Sequence, residues 1–321
     1  MAFHKEVLKI DPAAVTEDLI ARLQEDVRRT LRRAGTVVGI SGGIDSSVVL
    51  ALCVRAFGPA RVLGVMMPER DSSPDSLVLG RKVADRFGVE SLVEDLTDAL
   101  EGFGCYRRRD EAIQRVFPEY TPAYKAKITL PGSVLDSDAL NIFYLTVISP
   151  DGEETSKRLN PRDYLQIVAA SNFKQRSRMS MLYYHAELRN YAVAGTPNKN
   201  EHDQGFFVKW GDGGYDVAPI LHLYKTQVYQ LAGYLGVPEE ICQAMPTTDT
   251  YSAPCSQEEF FFRMPFATMD LLWYALEHEV PVTETAQAMD LSEAQVQRAF
   301  ADLTSKKRTT GYQRTLPIHY R

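Results

Sequence analysis

The sequence predicts an α/β fold, in which a doubly wound parallel sheet carries helices on both faces. Short apolar runs, which are typical of buried strands, alternate with longer segments of helical periodicity. Residues 36–38 form one such run, and residues 48–52 belong to the helical segment that follows it. A glycine-rich turn joins these two segments. The chain has 321 residues, of which 45% are hydrophobic and 24% charged, which is an ordinary globular balance. This length fits about two average domains or one large α/β domain, and we predict a single domain over residues 1–321.

The predicted elements begin with a helix over residues 11–33, where Asp11 and Pro12 are typical of a helix start. Its apolar residues recur every four positions, at Val15, Leu19, Leu23, Val27 and Leu31. A second strand is predicted over residues 61–67, a helix over 73–87 and a third strand over 89–95. In a parallel sheet of this kind, ligands bind beyond the carboxyl ends of the strands.

Prolines and a run of arginines interrupt the alternation from residue 107 onward. Residues 127–130 and 141–148 have strand composition, and residues 150–153 have strong turn composition. We therefore predict an inserted element with a β-hairpin over residues 107–160, which serves either as a lid or interface arm or as a surface elaboration. Helical periodicity resumes at residue 161 and continues to residue 191, and residues 256–321 are predicted to form a closing helical segment.

Charge and hydropathy exclude several classes of function. The formal net charge is -6 and the isoelectric point is near 5.6, which argues against a nucleic-acid-binding protein. No apolar run approaches the length of a membrane span, and residues 1–5 have no apolar core for export. The four cysteines contain no Cys-x-x-Cys pair. We expect a cytoplasmic protein with neither a nucleic-acid nor a membrane partner.

The glycine-rich turn has the composition of a phosphate-binding loop. Its small residues let backbone N–H groups approach an anion, and the helix behind it adds the positive end of its dipole. The loop has no lysine but carries Asp45, and a carboxylate beside phosphates implies a cation such as Mg²⁺. The pattern Ser-Gly-Gly-x-Asp-Ser resembles the pyrophosphate loop of the N-type ATP pyrophosphatases. The predicted ATP-binding residues of this loop are Gly39, Ile40, Ser41, Gly42, Gly43, Ile44, Asp45 and Ser46.

A second set of polar residues follows the predicted helix over 161–191. An apolar strand ends in Gly195-Thr196, which offers a hydroxyl group for a phosphate or ribose, and Glu201 offers a second Mg²⁺ ligand. Lys225 begins a further helix, where its ammonium can meet a phosphate.

Five blocks in this order resemble ammonia-dependent NAD synthetase: Ser-Gly-Gly-x-Asp-Ser, Asn-x-Lys-x-Arg-x-Arg-Met, Gly-Thr…Glu…Gly-Phe-Phe, Gly-Asp-Gly-Gly-x-Asp and Pro-Thr-x-Asp. They extend from residue 36 to about residue 249 and omit the 107–160 insert. The resemblance implies the Rossmann-like fold of the adenine nucleotide alpha hydrolases and a homodimer with the dinucleotide near its interface. It also implies an ATP- and Mg²⁺-dependent ligase in NAD biosynthesis, which amidates deamido-NAD with ammonia.

The resemblance also implies a role for individual residues. Asp45 and Lys225 are the predicted catalytic residues, and Asp45 and Glu201 the predicted metal ligands. Further ATP contacts fall on Thr196, Lys225 and Thr247, and deamido-NAD contacts fall on Arg176, Lys209 and Asp216.

Two segments depart from the family pattern. The acidic loop after Pro-Thr-x-Asp keeps only Glu258 and Glu259, and the C-terminal His-Lys-Arg is replaced by Tyr312-Gln313-Arg314. Two alternatives therefore stay open: an amide ligase of the same fold with another carboxylic acid, and a catalytically inactive nucleotide-binding subunit. The synthetase blocks leave no room for a glutaminase domain, so we expect free ammonia or ammonia delivered by a separate partner protein.

Overall fold

A computed structural model describes residues 3–130, 132–136, 142–244, 251–257 and 261–320. Its centre is a parallel sheet of four strands: β1 (Thr36–Gly39), β2 (Val62–Met66), β3 (Glu90–Val93) and β7 (Ala192–Ala194). Their order in the sheet is β3-β2-β1-β7. Each strand is short, and the two inner strands, β1 and β2, are rich in buried Val and Leu, as expected for a sheet covered on both faces.

Alternating side chains of these strands pack against different helices, because successive residues of a strand point to opposite faces. Val38 belongs to the apolar core beneath α1 (Pro12–Gln24), α2 (Ile44–Phe57), α3 (Pro74–Phe87) and α8 (Lys225–Leu235). Val37 belongs to the core beneath α6 (Pro161–Arg189). The predicted doubly wound α/β fold is confirmed.

The strand order places a topological switch point at β1. The chain proceeds from β1 to β2 and β3 on one side, whereas β7 joins β1 on the other side, with Val38 paired to Ala194. The loops that leave neighbouring strands in opposite directions open a crevice at the carboxyl ends, and ligands bind there in sheets of this type. The loops that follow β1 and β7 are those with the predicted phosphate-binding residues.

Side-chain capping groups mark the start of several helices. Asp11 caps α1 by accepting hydrogen bonds from Ala13 N at 3.0 Å and Ala14 N at 3.2 Å. The predicted helix over 11–33 is more irregular than expected, because α1 ends at Gln24 and continues as a π-helical turn over Glu25–Thr30. The remaining helices before the C-terminal segment are α4 (Thr97–Gly102), α5 (Cys105–Val116), α7 (Lys199–Gln204) and α9 (Glu239–Gln243).

The inserted element contains a helix and a three-stranded antiparallel sheet in the order β4-β5-β6. The arginine run over 107–109 lies within α5. The predicted hairpin is present as β5 and β6, and β4 adds a third strand to it: β4 (Lys125–Thr129), β5 (Tyr144–Ile148) and β6 (Glu154–Arg158). These strands share an apolar core with α5 and the first half of α6.

The last part of the chain is helical and has a separate apolar core, which contains Phe262, Leu272 and Trp273. None of the helices among the described residues combines the length and apolar character that crossing a bilayer requires. The C-terminal helices are α10 (Phe266–Glu277), α11 (Val282–Met289), α12 (Glu293–Thr309) and α13 (Gly311–Arg314).

Candidate active site

Hydrogen bonds between serine side chains and the backbone hold the loop between β1 and α2 in a tight turn. Ser46 Oγ accepts a hydrogen bond from Ser41 N at 3.3 Å and donates one to Gly43 O at 3.0 Å. Ser47 Oγ donates to the same carbonyl at 2.8 Å, and Gly43 N donates to Ser41 Oγ at 3.2 Å. These bonds fix a tight turn directly before the N-terminus of α2, where N–H groups and the helix dipole favour an anion.

Gly42 has a conformation and a position that require glycine. Its φ of 79° lies in the left-handed region, and an added Cβ would lie 2.7 Å from Ser76 O and 2.9 Å from Leu79 Cβ. The backbone of the loop therefore packs directly against the first turns of α3.

Asp45 meets Lys225 at the carboxyl end of the sheet. The ammonium of Lys225 contacts Asp45 Oδ2, and Asn198 Nδ2 donates to Asp45 Oδ1 at 3.1 Å. The Lys225 side chain is 1% exposed and that of Asp45 is 16% exposed. Burial works against the charge of Lys225, but Asp45 and Glu201 outweigh this effect and raise the Lys225 pKa above its ordinary value. Lys225 thus stays cationic at neutral pH.

Glu201 is held beside this pair by the first turn of α7. Its Oε2 accepts a hydrogen bond from Asn198 N at 3.1 Å, while Asn198 Oδ1 accepts one from Glu201 N at 3.1 Å, which together form a capping box. Gln257 Nε2 lies 3.4 Å from Glu201 Oε1. Desolvation and the nearby Asp45 carboxylate raise the pKa of Glu201. A second ionised carboxylate beside Asp45 is therefore unfavourable, even with Lys225 nearby, unless a further cation is bound.

A buried polar network orients the helix that carries Lys225. Asn200 Oδ1 accepts a hydrogen bond from Lys225 N at 3.3 Å, and Asn200 Nδ2 donates to Asp270 Oδ1. Asp270 Oδ2 accepts a hydrogen bond from Thr226 N at 2.7 Å. Burial raises the pKa of Asp270 to about 6, even though its hydrogen bonds favour the ionised form.

One cavity of about 1130 Å³ lies beside the loop and contains most of the predicted site. Thr196, Glu201 and Lys225 line it together with all eight predicted residues of the pyrophosphate loop, 39–46. Thr247 lies outside the described residues. Within the described ranges, no group of three or more His, Cys, Asp or Glu side chains forms a metal site. Mg²⁺ commonly uses one or two carboxylates and completes its coordination with substrate phosphates, and Asp45 and Glu201 fit that pattern.

The long helix α6 contributes one of its faces to the cavity. Its lining residues follow the i, i+3, i+4 spacing of a single helical stripe. Arg178 belongs to this stripe and also donates from Nε to Met67 O at 3.2 Å. Arg178 was not among the predicted site residues, although helical spacing could have identified this stripe. The stripe consists of Tyr164, Val168, Ser171, Asn172, Gln175, Arg178, Met179 and Leu182.

The three predicted deamido-NAD contacts are not among the described residues that line this cavity. Arg176 Nε donates to Lys209 O at 3.2 Å, so these two residues are adjacent. Lys209 Nζ donates to Thr315 O at 2.6 Å, in the C-terminal segment. Asp216 accepts hydrogen bonds from Tyr183 Oη at 3.1 Å and Val193 N at 2.8 Å.

A buried ionic cluster at the edge of the cavity was missed by the sequence interpretation. Lys174 Nζ lies 2.9 Å from Glu69 Oε1 and 2.6 Å from Asp71 Oδ2, and Arg109 also contacts Asp71. Tyr106 Oη donates to Glu69 Oε2 at 2.8 Å. Burial opposes ionisation of Asp71, but Lys174 and Arg109 outweigh it and lower the Asp71 pKa. The cluster joins the loop after β2 to α5 and α6.

Comparison with known proteins identifies the family. The family model described as NAD synthase matches residues 15–116 and 140–317, which is most of the chain. The chain belongs to the NAD synthase family. A relative from Mesorhizobium japonicum named NH(3)-dependent NAD(+) synthetase is 53% identical, over 97% of this chain and 98% of the relative. A protein of the same name from Thermotoga maritima is 35% identical, over 95% of this chain and 98% of the relative.

Two solved structures agree with the fold. An NH3-dependent NAD synthetase from Campylobacter jejuni superposes with a TM-score of 0.63 at 23% identity, covering 97% of this chain and all of the other, at 100%. An NMN synthetase from Francisella tularensis superposes with a TM-score of 0.62 at 20% identity, covering 97% and 99%. At these identities the similarity supports the shared fold alone.

Proposed function

We propose that this chain is a carbon–nitrogen ligase that amidates deamido-NAD with ammonia, consuming ATP and releasing AMP and pyrophosphate. The observation that carries this proposal is the meeting of Asp45, Glu201 and Lys225 beside a pyrophosphate loop, in a chain of the NAD synthase family. The name shared by relatives at 53% and 35% identity supports deamido-NAD over another acid. It also supports an active enzyme over a catalytically inactive subunit.

In this proposal the loop over 39–46 holds the phosphates of ATP. Its backbone N–H groups and the N-terminus of α2 face the departing pyrophosphate, where they stabilise the charge that develops. Lys225 supplies a buried positive charge at the same end of the sheet. Thr196 and Thr247 are the further proposed ATP contacts, and Thr196 lines the cavity.

Asp45 and Glu201 are the proposed Mg²⁺ ligands. The fit rests on two neighbouring carboxylates beside one buried ammonium, which pairs with Asp45, and on the raised pKa of Glu201, which a further cation would offset. When bound, Mg²⁺ would offset negative charge on the ATP phosphates. Lys225 balances Asp45 in the free protein and remains available to neutralise phosphate charge in the complex.

The reaction needs activation because a carboxylate does not lose oxide to ammonia at neutral pH. A carboxylate oxygen of deamido-NAD forms a bond to the α-phosphorus of ATP, and the bond from that phosphorus to pyrophosphate breaks. Ammonia then attacks the carbonyl carbon of the acyl-adenylate, the C–O bond to AMP breaks, and the nitrogen loses a proton to give the amide. No side-chain nucleophile takes part, so positioning and electrostatic stabilisation supply the acceleration.

Arg176, Lys209 and Asp216 remain proposed contacts to deamido-NAD. They lie outside the cavity of the single chain, which is compatible with a dinucleotide bound near the interface of a homodimer. We further propose a cytoplasmic homodimer that uses free ammonia or ammonia from a separate donor protein.

The function is tested by measuring AMP release from ATP and Mg²⁺ with ammonium, using deamido-NAD, no acid or a panel of other carboxylic acids. AMP formation that requires deamido-NAD and matches NAD formation one for one supports the proposal. AMP formation with a different acid would assign the chain to another amide ligase of this fold. Absence of AMP with every acid would favour the catalytically inactive subunit.

A further inference from the structure

The inserted segment supplies a second wall of the same cavity. Tyr120, Tyr124 and Lys125 line it where the chain passes from α5 to β4. Phe143, directly before β5, and Tyr164, in the first turn of α6, line it as well. Aromatic rings from the insert and α6 therefore face the space beside the pyrophosphate loop.

These rings form two pairs that pack on the apolar core of the insert. The rings of Phe143 and Tyr164 stack with centroids 4.3 Å apart and an angle of 21° between their planes. The rings of Tyr120 and Tyr124 lie 5.9 Å apart, and Tyr124 N donates to Thr121 O at 2.9 Å to close a turn. The core of the insert lies beneath them and includes Phe117, Ile128, Val147 and Ile167.

Exposure and charge indicate the ligand that suits this wall. Tyr124, Phe143 and Tyr164 are only half-buried, and Lys125 is exposed. Flat aromatic faces stack on heterocyclic bases, and an adjacent ammonium favours a negatively charged group. The combination suits a nucleotide unit, which consists of a base and its phosphate.

The size of the cavity leaves room for two reactants. Its volume of about 1130 Å³ exceeds the roughly 300–1,000 Å³ that is typical of a pocket for one small ligand. The sheet loops belong to one apolar core and the insert to another, so the two walls are separate parts of the fold. One wall is accounted for by ATP.

We propose that Tyr124, Phe143 and Tyr164 stack on an aromatic ring of deamido-NAD and that Lys125 meets its phosphates. The inference rests on the proposed function and deepens it, because it assigns the insert to the acid substrate. The family model does not contain this wall in full, since its match stops at residue 116 and resumes at residue 140. Tyr124 and Lys125 lie within that gap.

The test compares Tyr124→Ala, Phe143→Leu and Lys125→Gln with wild type, measuring KM for deamido-NAD and KM for ATP separately. Loss of base stacking corresponds to about 1–3 kcal/mol, so the Tyr124→Ala change should raise KM for deamido-NAD by roughly 5- to 150-fold. KM for ATP should change less than about twofold, because ATP binds the other wall. Lys125→Gln should raise KM for deamido-NAD and reduce its dependence on salt.

Two controls separate recognition from folding. Tyr124→Phe keeps the ring and should keep the wild-type KM, whereas Tyr234→Ala removes an exposed tyrosine outside the cavity lining and should change neither KM. Lys125 is exposed, so its variant remains informative if Tyr124→Ala does not fold.

A KM for deamido-NAD that is unchanged in all three variants would overturn the proposal, as would a rise in KM for ATP alone. A wild-type enzyme that forms no NAD from deamido-NAD would overturn the proposed function, and this inference with it. Wild-type turnover with unaffected variants would overturn the inference alone.

Discussion

The ammonium of Lys225 contacts the carboxylate of Asp45 across 180 positions of sequence, at the point where the first turns of α8 and α2 converge. Both helices direct the positive ends of their dipoles toward this pair. The site therefore combines a buried cation, two helix N-termini and the carboxylates of Asp45 and Glu201 in one place. Such an arrangement is preorganised for negative charge that develops on phosphate oxygens.

Removing the charge of Lys225 should impair catalysis more than folding. Lys225→Met should lower kcat by roughly 10²- to 10³-fold, which is the effect of losing one preorganised electrostatic partner. Lys306→Met is a matched control, because Lys306 is also buried and pairs with Asp302 at 2.7 Å but does not line the cavity. It should lower thermal stability and leave kcat within about threefold. Equal loss of kcat in both variants would contradict the proposed role of Lys225.

Gly42→Ala should weaken ATP binding and destabilise the fold. The left-handed φ and the close approach to Ser76 O together should cost about 1–3 kcal/mol of unfolding free energy. Gly88 is a matched control, since it has a φ of 65° with open space around it. Gly88→Ala should cost about 1 kcal/mol from backbone strain and leave KM for ATP unchanged. Urea unfolding and KM for ATP measure the two effects, and an unaltered KM in Gly42→Ala would count against the loop assignment.

Removing Lys174 should destabilise the protein strongly. Lys174→Met leaves the carboxylates of Glu69 and Asp71 without their shared buried cation, which should cost about 3–5 kcal/mol. The exposed pair Lys82–Glu240 provides the contrast, and Lys82→Met should cost about 0–1 kcal/mol. Thermal unfolding of both variants tests this difference. Similar melting temperatures would show that burial does not govern the strength of the Lys174 cluster.

Asp270 should make stability depend on pH. Its folded-state pKa is raised from 3.8 to about 6, so the stabilising effect of its proton is complete below the ordinary pKa and is lost as pH rises through about 6. Relative to Asp270→Asn, wild type should lose up to about 3 kcal/mol of unfolding free energy between about pH 4 and pH 7. Urea unfolding at both pH values measures this change. A pH-independent difference between the two proteins would contradict the raised pKa.

The sequence predicted the parallel sheet because its strands and helices differ strongly in composition and length. Residues 61–67 and 73–87 were assigned correctly apart from their ends, since β2 and α3 occupy them. The helix over 11–33 was predicted as regular, but local spacing does not distinguish an α-helix from the π-helical turn at Glu25–Thr30. Residues 127–130 of the insert, which overlap β4, were predicted as a strand. The pairing of β4, β5 and β6 into one sheet, however, depends on contacts between residues that are distant in sequence.

For the candidate site, residues on tight loops at strand ends were easier to predict than residues on long helices. The loop over 39–46 lines the cavity because the end of β1 fixes its place. Residues of α6 advance by about 100° per position, so Arg176 and Arg178 point in different directions and only Arg178 lines the cavity. The Lys174 cluster joins the loop after β2 to α5 and α6, and no local sequence pattern indicates contacts between segments so distant in the chain.

The acyl-adenylate is the key intermediate of the proposed reaction, and transfer of an oxygen isotope tests its formation directly. Deamido-NAD labelled with ¹⁸O in both carboxylate oxygens is converted with ATP, Mg²⁺ and ammonium, and the products are analysed by mass spectrometry. We predict one ¹⁸O atom in the phosphoryl group of AMP, one in the amide of NAD and none in pyrophosphate. Label in inorganic phosphate, with ADP as the nucleotide product, would contradict an acyl-adenylate, because it would mean that the γ-phosphate activates the acid.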